Sequence, residues 1–422
     1  MRATDLNVPF RFGRRDFLRG ASGAAAVSLL NPGALLAAPP APQPLSDLFW
    51  IRNIPDQPFW GGGGGNDHAG VDSLLGLMGA HGLKFYRSAT ETALGGPWGM
   101  IAKYDVVLVK VNAQWKHRGC TNSDVIRGLI QRILDHPDGF AGEVVIVENG
   151  QGRGSLNCDT SAAYEGNTSV QANANNRAHS FLYLVNTVFA GQPVSAVLLD
   201  SLRNRFIEAG DHATDGYRKW KYVSYPCFTT RFGNRVELRE GIWHGSAYRQ
   251  NIKLINVPVL KHHDRNGSHF TAAVKHFYGL LSMQDGYSGY RHYAGLGRTC
   301  GKMIASVRAP VLNIIDAIWV SYATLSGYPA STTLRANQLL AGQDPVALDY
   351  WAAKSILYPI DLNGSHHPSD PGIVAWMKAA RDLINAQGGL YNPQQGLFTG
   401  HVTKNEARMR VLEESAASSF SF

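Results

Sequence analysis

Lysine, histidine and carboxylate side chains stand at the ends of several aliphatic runs in this chain. Lys110 and Asn112 close the run at 105–111 and, two residues apart on an extended backbone, point to one side. Lys261, His262, His263 and Asp264 follow the run at 252–259, and Thr271 and Lys275 lie just beyond. Glu148 and Asn149 follow 143–147, Asp200 follows 194–199, and Asp316 follows 311–315. Open α/β sheets bind ligands beyond the carboxyl ends of their strands, which is where these groups fall. Gathered there, they could bind a small anion or polar ligand, hold a metal ion, or move protons. In this reading Lys110, Lys261 and Lys275 orient an anion, with Asn112 and Thr271 as further ligand contacts. His263 and Lys275 are the catalytic candidates, His263 as acid or base. Asp316 and Asp344 orient a partner group or a metal whose identity is open. The competing structural reading has Lys110 snorkelling, Asn112 capping a turn, and His262, His263 and Asp264 solvated or hydrogen-bonded.

The stretch from Asn256 to Leu281 is the richest. Asn266-Gly267 predicts a turn, Ser268 a helix cap, and 269–281 a helix. Thr271, Lys275 and Tyr278 would share one face at i, i+4, i+7, with Val274, Phe277 and Leu281 as the apolar stripe. Thr271 would lie in the first turn, where free N–H groups favour an anion. His269 and His276 would be about 10 Å apart along the axis, too far for one metal ion. Asp344-Pro345 reads as a helix cap followed by proline at the first helical position, which alone explains both residues. Asp349, on another face of that helix, reads as an independent polar contact. Gly150-Gln-Gly152-Arg-Gly154 fails the dinucleotide fingerprint, because Ser155 stands at the third glycine position and no helix begins there. The Gly61–Gly65 run reads as a sharp loop before a helix from Val71.

The elements that must position these groups alternate. Strand-like runs at 105–111, 143–147, 194–199, 252–259, 311–315 and 338–341 are interleaved with helical patterns at 125–135, 174–189, 269–281 and 345–357. The expected fold is α/β, a largely parallel sheet flanked by helices in Rossmann-like layers. Long polar loop insertions lie at 150–173 and at 282–300, the latter with Tyr287, Tyr290, His292 and Tyr293.

Composition narrows the class. Arg14-Arg15-Asp16-Phe17-Leu18-Arg19, a mildly apolar stretch to Ala38 and an Ala/Pro run have the layout of a twin-arginine export signal over 1–41. That route carries folded proteins, so the expectation is an exported, periplasmic protein with one large α/β domain over 42–422. The net charge is +8; the first 41 residues hold five Arg and two Asp, so about +5 remains. Such an excess favours small anions, and no basic run interleaved with aromatics points to nucleic acid. No later stretch is apolar for long enough to span a membrane as a helix. Cys120, Cys158, Cys227 and Cys300 include no Cys-x-x-Cys pair, which disfavours ferredoxin-type iron–sulfur clusters and leaves any cofactor unknown. Cys120 with Cys158 is the expected pairing if a disulfide forms; free buried thiols are the alternative.

Val109-Lys110-Val111-Asn112, Val257-Pro258-Val259-Leu260-Lys261-His262-His263, Thr271 to Gly279, Ile315-Asp316 and Ala341 to Asp349 occur in that order. Together they resemble the family called domain of unknown function 362, in its twin-arginine-exported form, over about 105–354. The resemblance implies an α/β core and no transferable activity. Some members carry ferredoxin-like cluster domains, for which this chain lacks the cysteines. His276 stands where the family usually has Asn. Two readings of function follow. One is an exported enzyme or cofactor-binding protein for a small anionic or polar ligand. The other is a non-catalytic periplasmic binding or assembly module, co-exported with a redox partner and docking through the aromatic loop at 287–293.

Overall fold

A computed structural model describes residues 45–60, 65–159, 169–264, 268–286, 289–387, 391–392, 397–398 and 402–417. The segment read as an export signal, most of the 61–65 glycine run, Asn266-Gly267, where the sequence predicts a turn, and Tyr287 lie outside the described residues.

The elements used below are, in chain order, β1 (Ser46–Arg52), α1 (Ala69–Ala80), β2 (Val106–Lys110), α2 (Ser123–Leu134), β3 (Glu143–Glu148), α3 (Phe181–Tyr183) and β4 (Val194–Leu198). Five short strands follow: β5 (Gly216–Trp220), β6 (Val223–Thr229), β7 (Arg235–Glu237), β8 (Gly241–Trp243) and β9 (Tyr248–Arg249). Next come β10 (Ile252–Asn256), β11 (Val259–His262), β12 (Phe270–Thr271), α4 (Ala273–His276) and α5 (Leu296–Ser306). The remainder is β13 (Leu312–Ser321), β14 (Thr333–Gly342), α6 (Pro345–Ala352), α7 (Pro371–Ala386) and β15 (Met409–Ser415).

The fold is α/β, as the alternation predicts. A ten-stranded sheet runs β15-β1-β14-β13-β10-β2-β3-β4, with β11 and β12 off its main path. Its centre, β13-β10-β2-β3-β4, is parallel throughout, whereas β14 is antiparallel to both neighbours. β2 and β3 are buried along their whole length, which explains why their sequences are continuous aliphatic runs rather than alternating ones. Apolar clusters cover both faces of the sheet: Val107, Val109 and Ile146 join one with α1 and α2, and Leu108 and Val147 join the other with α5–α7. β5–β9 form a separate antiparallel sheet whose buried side chains, Tyr217, Tyr225, Phe228 and Val236 among them, join the second cluster.

From β2 the chain proceeds through β3 to β4 on one side, while β10 and β13 add on the other. The strand order therefore reverses between β2 and β10, and a crevice opens at their carboxyl ends.

Several expectations change. The helix expected at 174–189 begins only at Phe181, where Ser180 caps it by accepting the Tyr183 N–H. The strand expected at 252–259 breaks after Asn256, before Pro258, which has no N–H to offer a ladder. Asp316 does not end its strand; β13 continues to Ser321. The helix expected at 269–281 is reduced to α4 and one tighter turn over Phe277–Leu280. Thr271 belongs to β12, opposite Lys261, and Ser268 donates to the Phe270 carbonyl instead of capping.

Candidate functional site

The crevice becomes a polar cleft lined by Lys110 at the end of β2 and Asn112 beyond it, Glu148 at the end of β3, Lys261 from β11 and His263 just after it, Thr271 from β12, and Lys275, His276, Tyr278 and Gly279 from α4 and its extension. Six of the eight residues singled out from sequence meet here: Lys110, Asn112, Lys261, His263, Thr271 and Lys275. Thr271, Lys275 and Tyr278 do face one space, through a strand and a short helix rather than one helical face.

Asp316 and Asp344 do not line the cleft. Asp316 accepts the N–H groups of Asn122 (2.7 Å) and Ile318 (3.0 Å), and Asn122 in turn caps α2. Asp344 accepts Val346 and Ala347 N–H at 2.9 Å, the Ser46 hydroxyl at 2.6 Å and Thr403 N–H at 2.8 Å, so its oxygens are committed. Burial pushes the Asp316 carboxyl up to about 7 and the Asp344 carboxyl up to about 6, against these donors.

Asp349 makes an independent polar contact, as its sequence position suggests, and the structure shows with what. Fully buried on α6, it accepts Ala273 N–H at 2.6 Å and Val274 N–H at 3.0 Å, so it caps the helix that carries Lys275 and His276. Asn256, the last residue of β10, fixes the same helix. Its amide donates to the Ala273 carbonyl at 2.9 Å and its oxygen lies 2.7 Å from His276 Nδ1. With the His276 Nδ1–H given to Asn256, Nε2 is left to accept from Lys110 Nζ at 3.0 Å.

Lys110 is saturated. It contacts Glu148, the Val111 carbonyl (2.8 Å) and His276. Burial pushes Glu148 up to about 7 and Lys110 down, each opposed by the attraction of the other. Lys261 and Lys275 differ. Lys261 donates to the Gly119 carbonyl at 2.6 Å, and Lys275 reaches only His292 Nε2, at 3.5 Å. Among the described residues no carboxylate lies within ion-pairing distance of either, although both are buried. Burial, and then the neighbouring Lys275, push Lys261 down to about 7; burial likewise holds Lys275 at about 8. His263 is 8 % exposed and its Nδ1 has no hydrogen-bond partner. Burial and the Lys275 and His292 charges hold His263 well below its ordinary range, so its ring is neutral near pH 7.

The glycine loop after β3 is accounted for. The Gly150 and Gly152 N–H groups, the donors a phosphate loop would use, both donate to Asp200 at 2.6 Å. Its neighbour Gln151 lines the cleft instead, along with Gln114, Trp115 and Leu325, none of which the sequence pattern marked. Among the described residues no group of three or more metal-ligating side chains is set to hold a metal ion, and the four cysteines are free, buried thiols.

Fold and site thus define an open α/β protein with a lysine-rich polar cleft at the reversal point of its sheet. Residues 229–354 match the family model described as Domain of unknown function (DUF362). The match takes in β11, β12, α4, Asp316 and the Asp344–Asp349 segment and begins after the Lys110–Asn112 motif. No curated protein and no solved structure matches the chain.

Proposed function

We propose that the protein is an exported enzyme or cofactor-binding protein that holds a small anion, or the anionic group of a polar ligand, in the lysine cleft. The carrying observation is that two buried ammonium groups, Lys261 and Lys275, lack a carboxylate partner in a cleft where His263 Nδ1 also lacks a hydrogen bond. Uncompensated buried charge is unfavourable unless an opposite charge joins it. An anion there would accept from both lysines and the Thr271 hydroxyl, with His263 beside it to give or take a proton. Lys110, neutralised by Glu148, would shape the floor instead of adding charge.

Isothermal calorimetry with sulfate and phosphate tests this reading on the wild type, Lys261→Met and Lys275→Met. Binding to the wild type that is lost in both variants without a fall in Tm supports it; unchanged binding in both overturns it. Export is tested by Arg14→Lys with Arg15→Lys: retention of the double variant in the cytoplasm supports the twin-arginine route, and unchanged fractionation removes it.

The second reading is a docking module. It draws on Tyr290 and Tyr293, which are 59 % and 42 % exposed beside His292, the residue that Lys275 reaches. A stable partner that co-purifies and is lost in Tyr290→Ser with Tyr293→Ser would favour it.

A further inference from the structure

Cys120 and Cys158 are buried side by side in the loops behind the cleft. Cys120 follows Gly119, the residue whose carbonyl holds Lys261. Cys158 closes the 150–158 loop, which places Gln151 in the cleft. Both side chains are buried in one apolar cluster, and the two thiols lie within hydrogen-bonding reach of each other. Segment 171–173 ties the two loops together. Gln171 N–H donates to the Cys158 carbonyl at 2.9 Å, and the Gln171 carbonyl accepts from His117 N–H at 2.7 Å. Asn173 N–H points at Cys120 Sγ at 3.3 Å, and its side-chain amide donates to the Cys120 carbonyl at 2.8 Å. The other two cysteines belong to the opposite cluster, and burial pushes both thiols up to about 12.

The pair is chemically asymmetric. Burial alone would raise the Cys120 thiol, but the Cys158 hydrogen bond, the Asn173 N–H and the Lys261 and Arg118 charges together hold it below its ordinary range. Cys158 is pushed up by burial and by Cys120. The Asn173 N–H aimed at its sulfur, which would stabilise a thiolate there, makes Cys120 the attacking thiol and leaves Cys158 as the resolving one.

We infer that Cys120 and Cys158 are a built oxidation site, forming an intramolecular disulfide with a small-molecule or protein disulfide as oxidant and clamping the two loops that wall the cleft. The Cys120 thiolate attacks one sulfur of the oxidant, forming a mixed disulfide and expelling the first thiolate, which takes up a proton. Cys158 gives up its proton and attacks Cys120 Sγ, expelling the second. Two protein thiols are oxidised to one disulfide while the oxidant disulfide is reduced to two thiols.

The test uses the folded, full-length protein in oxidised glutathione, followed by alkylation and peptide mapping. The expected product is one linkage, Cys120 to Cys158, formed equally well in Cys227→Ala with Cys300→Ala. Cys158→Ala should stop at glutathione bound to Cys120, and Cys120→Ala should stay unmodified. Hydrogen exchange of the amides at 119–121 and 155–158 should slow at least tenfold on oxidation. Four alkylatable thiols after oxidation, or a linkage through Cys227 or Cys300, would overturn the site; unchanged exchange in the linked protein would overturn the clamp. None of these readouts depends on anion binding.

Discussion

Lys275→Met should stabilise the fold at neutral pH while abolishing anion binding. The native state holds this ammonium 8 % exposed, with a single long contact to His292 and the Tyr278 ring 5.8 Å away. Its fall from the ordinary 10.5 to about 8, at about 1.4 kcal/mol per tenfold change in proton affinity, destabilises the native state by about 3 kcal/mol at pH 7. Methionine preserves length and apolar stem, and the cation–π contact given up is worth about 1 kcal/mol at most in this geometry. The net expectation is a gain of about 2 kcal/mol, read as a higher urea midpoint at unchanged slope. The sign with pH is fixed by the direction of the shift. Because the folded lysine releases its proton before the unfolded one, the native state carries the full penalty below about pH 8 and sheds it as pH rises towards 10.5. The advantage of the variant should therefore vanish near about pH 11, where both states are neutral. A variant less stable than wild type at pH 7, or a gain of equal size at both pH values, would refute the claim that Lys275 is an uncompensated buried charge.

Sulfate affinity should weaken as pH rises through about 7 and about 8, where Lys261 and Lys275 lose their protons, and calorimetry in buffers of different ionisation enthalpy should detect proton uptake on binding. Asp349→Ala should destabilise by about 1–3 kcal/mol, since the Ala273 and Val274 N–H groups would both lose their acceptor; urea unfolding at pH 7 checks it, and an unchanged midpoint would remove Asp349 as the cap of α4. Gly279→Ala should lower stability by about 1–3 kcal/mol and weaken sulfate binding, because the new methyl would lie 2.8 Å from Lys110 Nζ and 3.0 Å from Glu148 Oε1; thermal unfolding and calorimetry together test it.

The central strands were legible because burial on both faces writes an unbroken aliphatic run, as in Val106–Lys110 and Glu143–Glu148. The antiparallel sheet at 216–249 was not, since its strands are short and carry buried charges, Arg218, Arg235 and Glu237, whose partners are brought together only by the fold: Arg218 with Glu237 of another strand, and Arg235 with Asp215. The 269–281 helix failed for a tertiary reason: pairing with Lys261 and His262 holds Phe270 and Thr271 extended, and Asp349, distant in sequence, sets where the helix starts. The lysine cluster was readable from the strand-end rule alone. Asp316 and Asp344 satisfied the same rule, yet each is consumed by backbone donors, which only the packing reveals. The Lys110–Glu148 pairing needed the strand order, because it follows from β2 and β3 lying side by side.

The pairing of β1 has a consequence for biosynthesis. Ser46–Arg52 lies between β14, to which it is antiparallel, and β15, whose residues 409–415 run parallel to it. This segment therefore waits for β14 until roughly 290 further residues have left the ribosome, and for β15 until roughly 360 have. Vectorial folding cannot finish this sheet. A chain halted before Met409 would display Leu48 to Ile51 along an open edge, the kind of surface that chaperones hold and neighbouring strands join.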